Sequence, residues 1–445
     1  MTDQAQRSDE LRDLVREGAL TEAVARAAAC EPADLADVLG ELDAEERLQL
    51  VAALPADVAS QALVAMSEDA HAEDTLAALP PSLAGAIVRE LDDDDAAELL
   101  RGLQPADAQR ILKDAASRPD VGVLLQYTEE TAGGRMTTHV VSVLDTDTTA
   151  EALERIRRQA EEVEDFYQVF VVDRQGVLKG VLSLQQLVSS RLERPVRAFM
   201  HDPEVTVPPE MDQEEVARLF ARHDQASIPV VAADGRLLGR VTFDDVFDVV
   251  EKESTEDILQ FGGTSPDEAL QASWPAAVRS RLPWLIINLA TAFLAASVVF
   301  AYQSLIQRLA TLAVIMPVIA GMGGNAGTQA LAVTVRRLAL GLIPRGRFLS
   351  VIGKEALVGV INGVAVGIIV AFVALFLHQG PMLGVVVFLA MTGNLLVAGV
   401  AGAFIPMLLE RRGVDPAVAS SIFVSTFTDV CGFFLLLWLA GLLLL

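Results

Sequence analysis

Five long apolar stretches fill the C-terminal part of the chain, approximately Pro283–Tyr302, Ala310–Val335, Phe348–Leu377, Met382–Leu409 and Ala417–Leu445. Each can cross a hydrocarbon core, which takes about 20 apolar residues in a helix. Lipid offers no partner to an unpaired backbone N–H or C=O, so such stretches fold as helices. Basic residues orient them. Arg279 and Arg281 precede the first, Arg336, Arg337, Arg345 and Arg347 lie between the second and third, and Arg411 and Arg412 between the fourth and fifth. The opposite loops offer Arg308. The positive-inside rule then puts the N-terminus in the cytoplasm and the C-terminus outside, in a plasma (inner) membrane crossed five times.

The last span carries an acid, Asp429, in the text Phe423-Val-Ser-Thr-Phe-Thr-Asp-Val-Cys-Gly-Phe-Phe434. An ionised carboxylate at mid-bilayer costs about 2.5–3.5 kcal/mol on insertion scales, so it faces a partner, a cavity or an ion path. A neutral Asp bonded to a neighbouring helix, or a span end nearer the interface, are the structural alternatives. The second span holds Met322-Gly-Gly-Asn-Ala-Gly-Thr-Gln329, preceded by Pro317. Glycines here permit close helix packing or a locally opened backbone facing a water-filled path. Asn325 and Gln329, one turn apart on one face, point to a pore lining.

Residues 1–273 have the opposite character. They hold 56 of the 60 acidic residues but 24 of the 34 basic ones, leaving 4 acidic and 10 basic residues from Trp274 onward. So acidic a surface repels nucleic acid and attracts cations. Cys30 and Cys431 lie one in each half, which fits no intrachain disulfide and a reducing compartment. The start, Met-Thr-Asp-Gln-Ala-Gln-Arg, lacks the apolar core of a cleavable signal peptide.

Proline punctuates the first 130 residues at a spacing near 24: Pro32-Ala-Asp-Leu, Pro55-Ala-Asp-Val, Pro81-Ser-Leu and Pro105-Ala-Asp-Ala. Pro and Asp both suit a first helical turn. The reading is an all-α superhelical stack of helices of about 12 residues each. Asp92-Asp-Asp-Asp95 falls at one helix start, where capping and solvation compete with cation binding.

Next comes a duplication. Val169-Phe-Val-Val-Asp-Arg-Gln-Gly-Val-Leu-Lys-Gly-Val-Leu-Ser183 returns 59 residues later as Ile228-Pro-Val-Val-Ala-Ala-Asp-Gly-Arg-Leu-Leu-Gly-Arg-Val-Thr242. Each copy reads strand, glycine turn, strand, helix. Gly134-Arg-Met-Thr and Ala198-Phe-Met-His precede the two copies. The duplication resembles a pair of cystathionine-β-synthase-type (CBS) domains, which form a pseudo-twofold unit and often bind adenine nucleotides. An Asp after Ser/Thr-x-x then contacts ribose. Thr242 and Asp245 keep that pattern in the second copy, whereas the first has Gln186, so at most one nucleotide site is intact. Asp244, Asp245, Asp248, Glu251, Glu253, Glu256 and Asp257 follow within 14 residues, relieved by Lys252. Like charges so placed destabilise an isolated helix, which favours cation binding over a merely solvated face.

The motifs Gly323-Gly-Asn-Ala-Gly-Thr-Gln329, Gly413-Val-Asp-Pro-Ala417 and Thr426-Phe-Thr-Asp-Val430, in this domain order, resemble the MgtE family of magnesium channels. The implied fold is a multidomain membrane protein. It comprises an all-α superhelical domain over 1–130, a tandem α/β CBS pair over 131–192 and 193–250, a connecting helix over 251–273 and a five-helix transmembrane pore domain over 274–445. The resemblance implies a homodimer with the pore between subunits, Mg²⁺ as both transported and regulatory ion, and ATP as a possible CBS ligand. It assigns the pore to Asp429 and Asn325, with Gly323 and Gly324 beside them. It assigns magnesium sensing to Asp245, Asp248, Glu253, Glu256 and Asp257, partnered by Glu214 and Asp224, with Asp94 and Asp95 joining from the helical domain. Ser420-Ser-Ile422 departs from the family, where Ser precedes Gly-Pro or Asn-Pro.

The chemistry agrees. Mg²⁺ prefers oxygen and sheds water reluctantly. Two aspartates across a dimer axis neutralise its charge and hold its water shell, and soft ligands are missing around Asp429. One rival is a proton-coupled secondary transporter of divalent cations such as Mg²⁺ or Co²⁺. Another is an intramembrane enzyme with a CBS sensor, which would need a second catalytic group at Asp429's depth. Lys354 and Glu355 lie instead near the inner interface.

Overall fold

The computed structural model describes residues 10–66, 72–115, 118–160, 163, 166–262, 264, 274–343, 347–375, 380–414, 416 and 420–444. It divides into two compact units, Met1–Glu251 and Lys252–Leu445.

The first unit begins as a helical stack. Pro32, Pro81 and Pro105 each open a helix, where the fixed φ suits the first turn and no N–H is missed, and Pro55 caps another. Helices between Pro32 and Asp114 run 7 to 10 residues, shorter than the spacing predicts. The reason is a recurring stop. Leu42, Leu54 and Leu91 each adopt extended backbone immediately after a helix, and each buries its side chain. The chain turns there because the leucine is worth more in the core than in another helical turn. Alternate helices then stack. Pro32–Glu41 packs on Ala56–Val64, then Pro81–Glu90, then Pro105–Asp114, while Ala44–Ala53 packs on Ala72–Ala78, then Asp93–Arg101.

The duplicated module follows. Strands β1 (Ser142–Leu144), β2 (Gln168–Val172) and β3 (Leu178–Ser183) form one sheet, with β1 parallel and β3 antiparallel to β2. Strands β4 (Ser227–Val231) and β5 (Leu237–Thr242) pair antiparallel in the same register, Ile228 opposite Val241 as Val169 is opposite Leu182. Gly176 and Gly235 sit at φ +80° and +86° in the two hairpin turns, a conformation that favours glycine. The equivalence extends to the flanks: Thr137 bridges to Arg240 on β5 as His201 bridges to Val181 on β3.

The helix after β5 spans Phe243–Phe261 without a break at residue 251. Val246 and Val249 are buried in the first unit's core, so the acidic run starts on an anchored helix of the CBS pair. Residues 265–273 of the expected connecting helix lie outside the described residues.

Among the described residues, the second unit contains five helices long and apolar enough to cross a membrane: Trp274–Ala301, Thr311–Ala339, Phe348–Leu375, Pro381–Arg411 and Ser420–Leu443. The first begins at Trp274 rather than Pro283, which it contains without breaking. The fourth is the hub, packing on the second, third and fifth. Glycines bring the third and fourth together. A Cβ on Gly363 would lie 2.8 Å from Thr392 Cα, and one on Gly399 would collide with the Glu355 carbonyl. Such contacts replace the hydrophobic drive that lipid removes.

Gly399→Ala therefore overpacks this seam, a change that typically costs about 1–3 kcal/mol. It should lower the melting temperature and monodisperse yield in detergent. Gly353→Ala, where nothing lies within 4 Å of the new Cβ, should leave both unchanged.

Candidate functional site

Asp429 is half-buried and lines a groove of about 720 Å³ with Ala292, Val299, Gln303, Gln307, Met316 and Phe433. Among the described residues, no basic side chain lines it. The groove is apolar except for two amides and the carboxylate, so a cation entering it meets one full charge and few competing donors.

The second span is helical throughout, and its glycine run does not open the backbone. Asn325, Thr328 and Gln329 are exposed on one face, and Gly324 also has open space beside its Cα. Gly323 differs from the pore expectation: it is buried, and a Cβ there would collide with Asn394. Asn394, on the fourth span, is fully buried and donates from Nδ2 to the Ile319 carbonyl at 2.9 Å. Gly432, one turn past Asp429, receives its other side: a Cβ there would lie 2.7 Å from the same nitrogen. Sequence reading missed Asn394. Its signal was an amide amid an apolar span, which lipid tolerates only when the amide is paired. Glu355 is buried against Arg337 at 3.6 Å, and it does not line the Asp429 groove.

In the first unit, the N-terminus of the Asp93–Arg101 helix meets the start of the Phe243–Phe261 helix. Asp93, part of the Asp92–Asp95 run but outside the set assigned to magnesium sensing, is fully buried. It accepts from the Thr137 and Thr138 hydroxyls and from Thr138 N at 2.7 Å. Asp94 is pushed up to about 8, first by burial and then by the charges of Asp245 and Asp93. Burial likewise raises Asp95 to about 7, with Asp94 and Asp92 adding repulsion. Asp245 rises to about 7 through burial, although the Thr242 hydroxyl donates to it. Burial, Glu98 and Glu251 raise Asp248. Two guanidiniums face the set: Arg135, bonded to Glu98 at 2.9 Å, Glu129 at 3.1 Å and Gln213 at 3.2 Å, and the buried Arg240, which feels the charges of Asp244, Asp94, Asp245 and Asp92. These two guanidiniums do not balance Asp92 to Asp95, Asp244, Asp245, Asp248 and Glu98. An oxygen-only donor set with excess negative charge suits a hard divalent cation.

Other expected sensing residues are not drawn in. Glu214 and Asp224 stand at opposite ends of the 11-residue helix Gln213–His223, and Glu214 is held by Arg218 at 2.9 Å. At 1.5 Å per residue they are about 15 Å apart, too far to share an ion. Glu253 and Glu256 lie farther along the Phe243–Phe261 helix, where Glu256 accepts from Gln260 at 2.7 Å. The side chain of Asp257 lies outside the described residues. Asp93, Asp120 and His139 also approach within 4.8 Å of one another. Arg118 holds Asp120 at 2.8 Å, however, and Thr137 and Thr138 hold Asp93, so these carboxylates are already engaged.

The two CBS copies present unequal clefts. At the second, Asp93 occupies Thr137 and Thr138, and Asp94 repels Asp245 beside Thr242. The candidate nucleotide position is thus covered by the acidic helix. At the first, a cleft of about 550 Å³ stays open beside Ser183, Gln186, His201 and Asp202.

Five membrane helices with one acid in an apolar groove, preceded by a carboxylate cluster that outnumbers its guanidiniums, define a multi-pass cation transporter rather than an enzyme. The comparisons with known proteins give the same class. Residues 316–439 match the MgtE divalent cation transporter model, 30–130 the MgtE intracellular N domain, and 132–193 and 196–252 the CBS domain. The magnesium transporter MgtE of Thermus thermophilus is 36% identical over 419 residues, 93% of each chain. That of Enterococcus faecalis is 38% identical over 312 residues, 70% of this chain and 68% of the relative. A crystal structure of the cytosolic domain of the Mg²⁺ channel MgtE in complex with ATP is 37% identical. It aligns with a TM-score of 0.51 over 54% of this chain and 99% of its own. The chain belongs to the MgtE family.

The raised acids make stability depend on pH. Unfolded, they ionise near pH 4; folded, Asp94, Asp95 and Asp245 hold their protons to about 8, 7 and 7. Their contribution is therefore full below about pH 4 and lost as pH rises through 7 to 8. In chelator, amide exchange across Asp93–Arg101 should quicken over that range. A divalent cation or Asp94→Asn should flatten the rise, and an unchanged slope in both would dissociate the cluster from stability.

Proposed function

We propose that the protein admits Mg²⁺ through a pore at Asp429 and closes when Mg²⁺ fills the acidic cluster of its cytoplasmic part. The observation that carries the reading is Asp429, among the described residues the one carboxylate on a groove lined by apolar side chains and two glutamines. The names of the relatives, magnesium transporters and a Mg²⁺ channel, support the choice of ion. Mg²⁺ keeps several waters and binds through one or two carboxylates, which two copies of Asp429 across a homodimer axis would supply. In this reading Asn325 and Gly324, which do not line the Asp429 groove of a single chain, join the path in the homodimer, and the N-terminus lies inside and the C-terminus outside.

Gating follows from repulsion. Asp94, Asp95, Asp245 and Asp248 press like charges together across the contact between the helical stack and the CBS pair. Without a cation this contact is weak. Mg²⁺ bridges it and favours a compact, closed state, so magnesium inhibits its own entry. The ion shifts the gate by its differential affinity for the two states, and several weak sites acting together supply the needed free energy.

Asp429→Asn keeps the shape and removes the charge. Divalent uptake should collapse while folding and dimer yield persist, and wild-type uptake would remove Asp429 from the pore. With Cys30 and Cys431 replaced, Ser425→Cys should crosslink between subunits.

Deleting residues 1–130 removes one face of the clamp. Currents recorded against cytoplasmic Mg²⁺ should then resist closure into tens of millimolar, where the intact protein closes. Reversal at the Mg²⁺ Nernst potential separates a channel from proton-coupled exchange. Currents indifferent to Mg²⁺ in the intact protein would leave the acidic surface merely solvated.

A further inference from the structure

We infer that Asn394 is a positioning residue for ion selection: its amide fixes the spacing of the second and fifth spans, and through them the place of Asp429. Asn394 is fully buried, and its nitrogen donates to the Ile319 carbonyl at 2.9 Å. That bond sets the orientation of the amide, because the flipped form would press two carbonyl oxygens together. Its own oxygen is then left without a donor among the described residues. A buried acceptor left unpaired opposes folding, whereas an apolar group of the same shape is nearly neutral.

Adhesion of the spans does not require this amide. One turn along the second span, a Cβ on Gly327 would lie 2.5 Å from Val424 of the fifth and 3.9 Å from Ala398 of the fourth. A Cβ on Gly402 of the fourth would lie 2.7 Å from that of Ala330 on the second. These seams are apolar, close-packed and join the same three helices. Asn394 is kept in addition to them and against its own cost, and such exceptions in a core mark function.

What the amide touches lies directly behind the Asp429 groove. Ile319 follows Met316 by three residues, Gly432 follows Asp429 by three, and Met316 and Asp429 both line the groove. Residues three apart are neighbours on a helix surface. A shift of the second span against the fifth therefore moves Met316 against Asp429. The slot leaves little slack for one: a Cβ on Gly323 would collide with the amide, and one on Gly432 would lie 2.7 Å from its nitrogen.

Spacing bears on selection through the ions' own chemistry, and here the role rests on the reading of Asp429 as the pore acid of a homodimer. Mg²⁺ keeps its waters in a near-ideal octahedron, whereas Ca²⁺ accepts larger and irregular oxygen shells. Carboxylates held at one separation favour the first ion. Carboxylates free to drift accommodate the second.

The test is uptake of Mg²⁺ and Ca²⁺ by the full-length protein in proteoliposomes. Asn394→Leu, close in volume and without the unpaired oxygen, should keep or raise the melting temperature. Its ratio of Mg²⁺ to Ca²⁺ uptake should fall about tenfold, as small misplacements of reacting groups do to rates. Asn394→Thr covers a failure of the leucine variant to fold. Its hydroxyl should turn back onto its own helix, as that of Thr392 does onto the Phe388 carbonyl at 2.9 Å, so the link to Ile319 is lost and the ratio falls likewise. An unchanged ratio in either folded variant overturns the inference. So does a ratio that falls only together with melting temperature and dimer yield, which would make Asn394 a packing residue. Asp429→Asn in the same vesicles separates the two readings. Wild-type uptake there removes the pore acid and the positioning role with it; collapse there, with unchanged ratios in the Asn394 variants, removes the positioning role alone.

Discussion

The membrane unit depends on an amide held where lipid would not tolerate it free. Asn394 projects from the fourth span into a slot made by Gly323 of the second and Gly432 of the fifth. A side chain at either position would expel it. With its nitrogen bonded to the Ile319 carbonyl, Asn394 ties three helices together by a directional contact where apolar surfaces alone supply no drive to associate. The consequences reach the candidate pore. Asn325 lies two residues past one wall of the slot and Asp429 three before the other, so both are placed by the back of the bundle. The glycines first read as pore lining divide accordingly, with Gly323 serving packing and Gly324 facing open space.

The soluble unit is governed by the opposite problem, an excess of like charge. Asp93 is stabilised by three donors and anchors its helix against the CBS pair. That anchor drags Asp94 and Asp95 toward Asp245, where burial and mutual repulsion raise all three. A neutral contact would be more stable and could not respond to an ion. The raised acids leave a contact whose strength depends on what neutralises it, which is the property a sensor requires.

The internal duplication puts one backbone in two different surroundings. Thr137 and His201 occupy equivalent bridges, as do Arg240 and Val181. Around Thr137 the chain supplies its own acid from the helical stack, while around His201 the cleft is open. The backbone is the same. The difference lies in a few side chains and in which neighbour reaches the cleft.

Much of this was legible in the sequence, for local reasons. Span length and apolarity leave a bilayer segment one option, the helix. Proline placement marks helix starts, and the 59-residue repeat announces two like modules. Asp429 stands out because an acid within an apolar helix has few innocent explanations. The family resemblance singled out Asp94, Asp95, Asp245 and Asp248, and the structure brings these four acids together. Only the tertiary structure decided which acids meet. Glu214 and Asp224 carry the same carboxylate but sit at opposite ends of one helix, and nothing in their spacing separates a ligand from a solvated charge. Asn394 and the anchoring role of Asp93 escaped because burial, set by partners distant in sequence, gives each its role. A sequence fixes what each residue can do; partners far along the chain decide which of those capacities is used.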